Sequence, residues 1–194
     1  TELFYKNDTL WFASKKNGLF VQHSSGEVEP VTQGLETPVT ENSYVTAMYN
    51  DSSDNLWLTL RNGSIKVVSA SGEVSTIEDN ANPRFNKIIQ VNNNEIWLSS
   101  LSSNSGILVI DINSKQIVKE VFANENSSIK DLYLDSSGLL WIGTNGSGIY
   151  KYNTQNTGMY FFDKNLFAKK ESNQIKSINN IKELTNGDVI FKRF

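Results

Sequence analysis

Short apolar runs alternate with polar segments along this chain, and the pattern is clearest between residues 129 and 162. Recurring apolar side chains there predict four strands, at residues 129–134, 140–144, 149–152 and 159–162. The segments 135–138 and 145–148 between the first three strands combine Asp, Asn, Ser and Gly, which favour tight turns. Four short antiparallel strands joined in this way are typical of one blade of a β-propeller.

Four tryptophans show that the same order of strands and turns recurs. They are separated by 46, 40 and 44 residues, and each follows Leu or Ile and precedes an apolar residue and then a small one. Self-similarity with a period of about 40–45 residues is typical of propeller blades. The four are Trp11, Trp57, Trp97 and Trp141.

We therefore predict an all-β fold, a partial β-propeller of four-stranded antiparallel blades that occupies residues 1–194. About four and a half blades are predicted, at residues 1–43, 44–85, 86–127 and 128–176, with a half blade at 177–194. In the half blade Ile190 takes the position of the tryptophan. Because the two ends do not complement each other within one blade, we expect a piece of a larger propeller that self-associates through exposed blade edges.

Composition narrows the classes of partner. The formal net charge is −3 and only three arginines are present, which disfavours a nucleic-acid-binding surface. The chain has no cysteine, which excludes a disulfide framework and a thiolate metal site. No apolar run approaches the roughly 18 residues that a membrane-spanning helix needs, so we expect no direct membrane insertion of this segment.

The tryptophans admit two interpretations. A tryptophan at the same place in every blade fills the wedge between neighbouring sheets, whereas a sugar-stacking surface would use one or two blades only. Since all four occur in register, we predict that they serve packing.

Catalytic and metal sites are weakly supported. The single histidine, His23, lies in a predicted hairpin turn with no second histidine to assist it. The segment 51–55 superficially resembles a calcium loop but lacks the bidentate Glu that such a loop needs. The spacing of Gly138 and Trp141 fits the Asp-box of sialidases, but Asp135 stands one residue too early. We therefore predict no catalytic residue, no metal site and no cofactor.

The stretch from Ile129 to Tyr152, with Leu-Trp-Ile-Gly-Thr at 140–144, closely resembles the repeat of two-component regulator propellers. Residues 45–68 also match this repeat. There we expect Asn55 at the position where Gly is usual, and Thr59 at the position of Gly143. Residues 88–110 match it more loosely, with Asn in place of Asp, and 3–21 and 178–191 are degenerate copies.

This resemblance implies the periplasmic, ligand-sensing part of an inner-membrane bacterial sensor, often a hybrid histidine kinase and sometimes a diguanylate cyclase. It also implies a carbohydrate fragment as the ligand and no catalysis in this chain. Two alternatives stay open: a propeller that serves protein interaction or dimerisation, and a propeller lyase or glycosidase.

Ligand-binding residues are not assigned by the sequence. Propellers bind ligands at the central channel or on the loops around it, so the candidates lie on innermost strands and their loops. They are Tyr49, Asn50, Arg84, Asn92 and Tyr133.

Overall fold

A computed structural model of the chain describes residues 3–6, 8–14, 17–31, 44–77, 83–102, 106–122, 128–154, 159–162 and 178–193. These residues form β-strands and turns, and no helix occurs among them. The chain divides into two compact units, residues 1–88 and residues 89–194.

The first unit contains two four-stranded antiparallel sheets in which each strand pairs with the next one along the chain. The first sheet consists of β1 (Leu3–Lys6), β2 (Thr9–Ser14), β3 (Gly18–Gln22) and β4 (Val28–Val31). The second consists of β5 (Val45–Asn50), β6 (Leu56–Leu60), β7 (Ile65–Val68) and β8 (Val74–Ile77).

The second unit repeats this arrangement. One sheet consists of β9 (Phe85–Gln90), β10 (Glu95–Ser100), β11 (Ile107–Asp111) and β12 (Ile117–Val121). The boundary between the two units falls within β9. The next consists of β13 (Ile129–Leu134), β14 (Leu139–Thr144), β15 (Ile149–Asn153) and β16 (Met159–Phe162). A two-stranded sheet follows, of β17 (Ile178–Glu183) and β18 (Val189–Arg193).

Strand register confirms that the tryptophan marks one position of the repeat. Trp11, Trp57 and Trp141 lie opposite an aromatic residue of the preceding strand, in the pairs Phe4–Trp11, Tyr49–Trp57 and Tyr133–Trp141. In the two-stranded sheet the equivalent pair is Lys182 and Ile190. The predicted all-β fold of four-stranded antiparallel sheets is therefore confirmed, and Ile190 does take the tryptophan position.

The core lies between neighbouring sheets of each unit. In the first unit Trp11 packs against a cluster that includes Leu56 and Leu58 of β6. In the second, the Trp97 ring lies 5.2 Å from that of Tyr152, and the Trp141 ring lies 5.5 Å from that of Phe191. Because each of these contacts joins one sheet to the next, the prediction that the tryptophans serve packing is confirmed for these three.

The tryptophans are not equally buried. Trp57 and Trp97 are 0% and 1% exposed, whereas Trp11 and Trp141 are only partly buried. On Trp141 the Lys151 ammonium lies 4.7 Å from the ring centroid, close enough for a cation–π contact. Packing is therefore the shared role, and the partly exposed rings have surface left for other contacts.

Candidate functional site

The turn between the first two strands of a blade is built around a buried aspartate. In the fourth blade Oδ1 of Asp135 accepts hydrogen bonds from the backbone N–H groups of Ser137 and Leu139, both at 3.0 Å. Its Oδ2 accepts one from the indole Nε1 of Trp141 at 2.6 Å. Gly138 takes the positive φ, 80°, that closes this turn, as its sequence predicts. We call this arrangement the Asp–Trp turn.

The second blade repeats the Asp–Trp turn. Oδ1 of Asp51 accepts the backbone N–H groups of Ser53 and Asn55, both at 2.9 Å, and Oδ2 accepts the indole N–H of Trp57 at 2.8 Å. The left-handed position is held by Asp54, with φ 66°. The expectation that Asn55 replaces the usual glycine is wrong, because Asn55 corresponds to Leu139 one position later.

Carboxylates in these turns stay ionised for a physical reason. Burial acts to raise the pKa of Asp51, but the hydrogen bonds from Trp57, Asn55 and Ser53 outweigh it, and the pKa lies below its ordinary value. In Asp135 burial is likewise outweighed by hydrogen bonds from Ser137, Trp141 and Leu139, which lower the pKa. A low pKa that structural donors explain in full points to a scaffold role for both carboxylates.

The third blade uses a different acceptor. Val91, which is buried, occupies the aspartate position, and Oε2 of Glu95 accepts the indole N–H of Trp97 at 3.0 Å. Lys119 lies 3.2 Å from Glu95. The expectation that Asn replaces Asp in this blade is therefore wrong, because Asn92 lies one position later and its Oδ1 accepts the N–H of Asn94 instead.

A polar junction joins the fourth blade to the two-stranded sheet, where β17 lies against β13 and β14. Oδ2 of the buried Asp131 accepts the backbone N–H of Ile181 at 2.8 Å. The Glu183 carboxylate accepts the N–H and hydroxyl of Ser136, at 2.9 and 2.6 Å, and the hydroxyl of Tyr133 at 3.4 Å. The carboxylates of Asp131 and Glu183 thus have hydrogen-bond donors within the protein, so we assign the junction a structural role.

A cleft lies between the two sheets of the first unit, with a volume of about 540 Å³. Phe4 and Trp11 form its aromatic part, with ring centroids 5.8 Å apart and planes within 6° of each other. His23, Glu29, Asn50 and Asp54 contribute polar groups. His23 and Asp54 lie in the turns at 23–27 and 51–55, and Glu29 and Asn50 lie near these turns on β4 and β5. We refer to this feature as the cleft.

The predicted candidates are distributed over several places. Asn50 lines the cleft, and Tyr133 belongs to the junction with Glu183. Tyr49 pairs with Trp57 across strands, and Asn92 takes part in its own turn. Arg84 is exposed just before β9. No single site of these five is formed within either unit.

His23 lies in a turn, as predicted, and the turn borders the cleft. Its backbone N–H donates to the carbonyl of Glu27, and its Nε2 lies 3.9 Å from the Glu29 carboxylate. Trp11 and Glu29 were not predicted as candidates. A sequence feature does set Trp11 apart from the other tryptophans. The first turn of its blade is short, with Asn7-Asp8 where the second and fourth blades carry the full Asp–Trp turn.

Within the described residues no group of three or more His, Asp or Glu side chains is arranged to hold a metal ion. In the calcium-like segment the Asp51 oxygens are occupied by backbone amides, Asn55 and Trp57. The part of the chain that the structure describes has no helix long and apolar enough to cross a membrane.

Residues 124–146 match the sequence model described as two component regulator propeller. The matched segment includes the complete Asp–Trp turn of Asp135 and Trp141. No curated protein matches the chain by sequence.

Solved structures with the same fold cover almost the whole chain. The extracellular domain of the hybrid two-component system protein BT3049 from B. thetaiotaomicron superposes on 99% of it, with a TM-score of 0.73 and 16% identity. That of BT4673 from the same organism covers 97%, with a TM-score of 0.73 and 22% identity. Virginiamycin B lyase from Staphylococcus aureus covers 97%, with a TM-score of 0.74 and 16% identity.

These likenesses show the propeller fold. The chain spans 25% of the length of each of the two extracellular domains and 61% of the length of the lyase. Sensor proteins and an enzyme therefore share this fold, and the choice between their functions depends on the chemistry of the site.

Proposed function

Because the chain carries a repeat of the two-component regulator propeller family, we propose that it is a ligand-sensing propeller region of a membrane-bound bacterial signalling protein. In this proposal the parent protein is a hybrid two-component sensor histidine kinase and the chain lies in the periplasm. The observation that carries the proposal is the family match at 124–146 in a chain that superposes on extracellular domains of two-component systems.

The chain is proposed to supply part of the sensory propeller, because it spans only 25% of the two extracellular domains. The remaining blades would be contributed by other segments of the parent protein. The signalling output would also be located elsewhere in that protein.

We propose further that the chain is non-catalytic and responds to carbohydrate. The lyase with the same fold is catalytically inactive when one histidine is replaced by alanine. In the present chain the single histidine lies in an exposed turn, and the buried aspartates are occupied by structural donors. Acid–base chemistry needs groups that are free to exchange protons with a substrate, so binding without turnover is favoured.

The experiment compares the source bacterium with a strain from which the gene for this chain is deleted. Cells are transferred to single carbohydrates, and genome-wide transcription is measured. At least one carbohydrate response should be lost on deletion and restored by complementation. The complemented strain carries an antibody-detectable copy of the protein, which protease should digest in spheroplasts without lysis of the inner membrane. Unchanged carbohydrate responses, or digestion only after lysis, would contradict the proposal.

A second candidate function, a protein-interaction or dimerisation module, is favoured by exposed apolar residues on edge strands. Leu3 and Tyr5 of β1 are each 66% exposed, and Ile190 of β18 is 48% exposed. β1 pairs only with β2, and β18 only with β17, among the described strands. An open strand edge with apolar side chains is a template for pairing with another chain.

A further inference from the structure

We propose that the cleft of the first unit binds one unit of a neutral saccharide, with the Phe4 and Trp11 rings as its stacking surface and His23, Glu29, Asn50 and Asp54 as hydroxyl partners. This inference rests on the proposed carbohydrate-sensing function, because it assigns the site at which that ligand is bound.

Trp11 differs from the other three tryptophans in its hydrogen bonding. The indole N–H groups of Trp57, Trp97 and Trp141 each donate to a carboxylate of their own blade. The first hairpin is too short for an Asp–Trp turn, because β1 ends at Lys6 and β2 begins at Thr9. Among the described residues no hydrogen-bond acceptor for the indole N–H of Trp11 is found.

The rings of the cleft suit a sugar. Trp11 and Phe4 are both partly exposed and are stacked with nearly parallel planes, and both give aromatic surface to the cleft. A pyranose ring presents an apolar C–H face that packs on such a surface, while its hydroxyls point outward at the rim. A tryptophan can pack its ring against the C–H face and donate its indole N–H to a hydroxyl.

The polar groups around the rings match hydroxyls. Glu29 and Asp54 offer carboxylate acceptors, and Asn50 offers an amide with both a donor and acceptors. His23 lies 3.9 Å from Glu29, which keeps both side chains on the same side of the cleft. Hydrogen bonds between a carboxylate and a hydroxyl are stronger than those between neutral groups, so two carboxylates add specificity as well as affinity.

Charge decides which class of saccharide fits. Two carboxylates and one histidine line the cleft, and the described lining residues include no Lys or Arg. A uronic acid or a sulfated sugar would bring a negative charge close to Glu29 and Asp54 with no cation to balance it. A neutral sugar avoids that repulsion. The volume of about 540 Å³ lies within the range of roughly 300–1,000 Å³ that ligand sites occupy.

The experiment follows the four indole N–H signals of the ¹⁵N-labelled chain by NMR. The Trp11 signal is assigned with Trp11→Phe, which keeps an aromatic ring in the packed position. The probes are xylotetraose, cellotetraose, mannotetraose and maltotetraose, each added to about 10 mM, well above a millimolar Kd. With at least one probe the Trp11 signal should shift saturably, while those of Trp57, Trp97 and Trp141 stay in place.

Variants test the polar partners. Glu29→Gln and Asp54→Asn should each weaken binding about tenfold or more, since each loses a charged acceptor. Asn tolerates the left-handed backbone at position 54, so Asp54→Asn should keep the turn. Glu120→Gln, on the exposed strand β12, is the matched control and should leave the affinity unchanged. Tetragalacturonic acid, an anionic probe, should not shift the Trp11 signal.

Each result decides the proposal. No shift of the Trp11 signal with any neutral probe, or equal binding by the Glu29, Asp54 and Glu120 variants, would overturn the cleft as the site. A Trp11 shift with tetragalacturonic acid alone would overturn the neutral class. If the gene deletion abolishes a carbohydrate response while the cleft variants bind normally, the sensing function stands and the cleft assignment fails. Saturable binding at Trp11 without any cellular response supports the cleft and contradicts the sensing function.

Discussion

At the scale of single residues, the most informative feature is a carboxylate that holds a tryptophan. Asp51 and Asp135 each use one oxygen for turn amides and the other for an indole N–H. One acidic side chain therefore fixes both the turn and the ring that fills the wedge between sheets. This explains why the aspartate and the tryptophan recur together, six residues apart, in the second and fourth blades.

Asp51→Asn should destabilise the chain at neutral pH. The replacement amide offers one oxygen, so either the turn amides or the buried Trp57 indole loses its acceptor, which costs about 1–3 kcal/mol. Urea unfolding at about pH 7 measures the difference. Glu120→Gln, which removes an exposed carboxylate, should change the free energy of unfolding much less. Equal stability of the Asp51 variant and the wild type would contradict the role given to this carboxylate.

The stability of the wild type should also fall in acid. The pKa of Asp51 and that of Asp135 lie below their ordinary values in the folded chain. Their contribution is therefore fully present above the unfolded pKa of about 3.9 and is lost as the pH falls through the lower folded pKa. The difference in free energy of unfolding between wild type and Asp51→Asn should thus shrink from about pH 5 to about pH 2. A difference that stays constant over this range would contradict the assignment.

At the scale of strands and sheets, the two-stranded sheet packs on the fourth blade through a close contact between β17 and β14. Gly143 of β14 has no side chain, and a Cβ placed there would lie 2.9 Å from Cγ2 of Ile178 and 3.2 Å from its carbonyl oxygen. Thr59 occupies the same repeat position in β6, where its hydroxyl lies 2.9 Å from that of Thr46. The glycine at 143 therefore permits the close approach of β17 to β14.

Gly143→Ala should destabilise the second unit by about 1–3 kcal/mol, because the methyl group overpacks a contact that includes backbone. Combining it with Ile178→Ala removes the nearer atom, so the glycine substitution should cost less in that background than in the wild type. A double-mutant cycle of unfolding free energies gives this coupling. Strict additivity of the two substitutions would show that the approach of β14 to β17 is not the cause.

The polar junction should protect the backbone amides of β17 from exchange with solvent. Asp131→Ala leaves the backbone N–H of Ile181 without its acceptor at a buried site. Amide hydrogen exchange of β17 should therefore accelerate, while that of β6 in the other unit stays unchanged. Unaltered protection of Ile181 in the variant would mean that Asp131 does not hold β17.

At the scale of the whole chain, the fold was predictable from the sequence because the repeat is read from tryptophan spacing. The strands of the fourth blade follow directly from apolar runs and from turns with Asp and Gly. Two expectations within the repeat were wrong: Asp54 and not Asn55 holds the glycine position of the second blade, and Val91 and not an Asn holds the aspartate position of the third. Counting backward from each tryptophan gives the correct register, since the strand that carries it has no insertions.

The cleft was less predictable than the fold. It depends on the space between two packed sheets, and apolar periodicity does not report such space. Asn50 was named as a candidate, but Trp11 and Glu29 were not, because in sequence Trp11 matches its three counterparts. The sequence feature that does distinguish it is the shorter first turn of its blade, with Asn7-Asp8 where the second and fourth blades carry the full Asp–Trp turn.

The exposed edge residues should make the chain self-associate. Light scattering over a range of concentrations should show a mass above that of the monomer, and the double variant Leu3→Ser with Ile190→Ser should lower it. Leu101→Ser, at a comparably apolar exposed site outside the strands, is the control and should leave the mass unchanged. A monomer at every concentration would contradict association through these edges.

The central claim is that this propeller region binds a carbohydrate and does not convert it. Calorimetric titration of the chain with xylotetraose, cellotetraose, mannotetraose and maltotetraose tests both parts together. With at least one of them we predict heats that decline to zero as a single site saturates, with the signal returning to baseline after every injection. No heat of binding with any of the four, or a sustained heat of turnover after injection, would contradict the account.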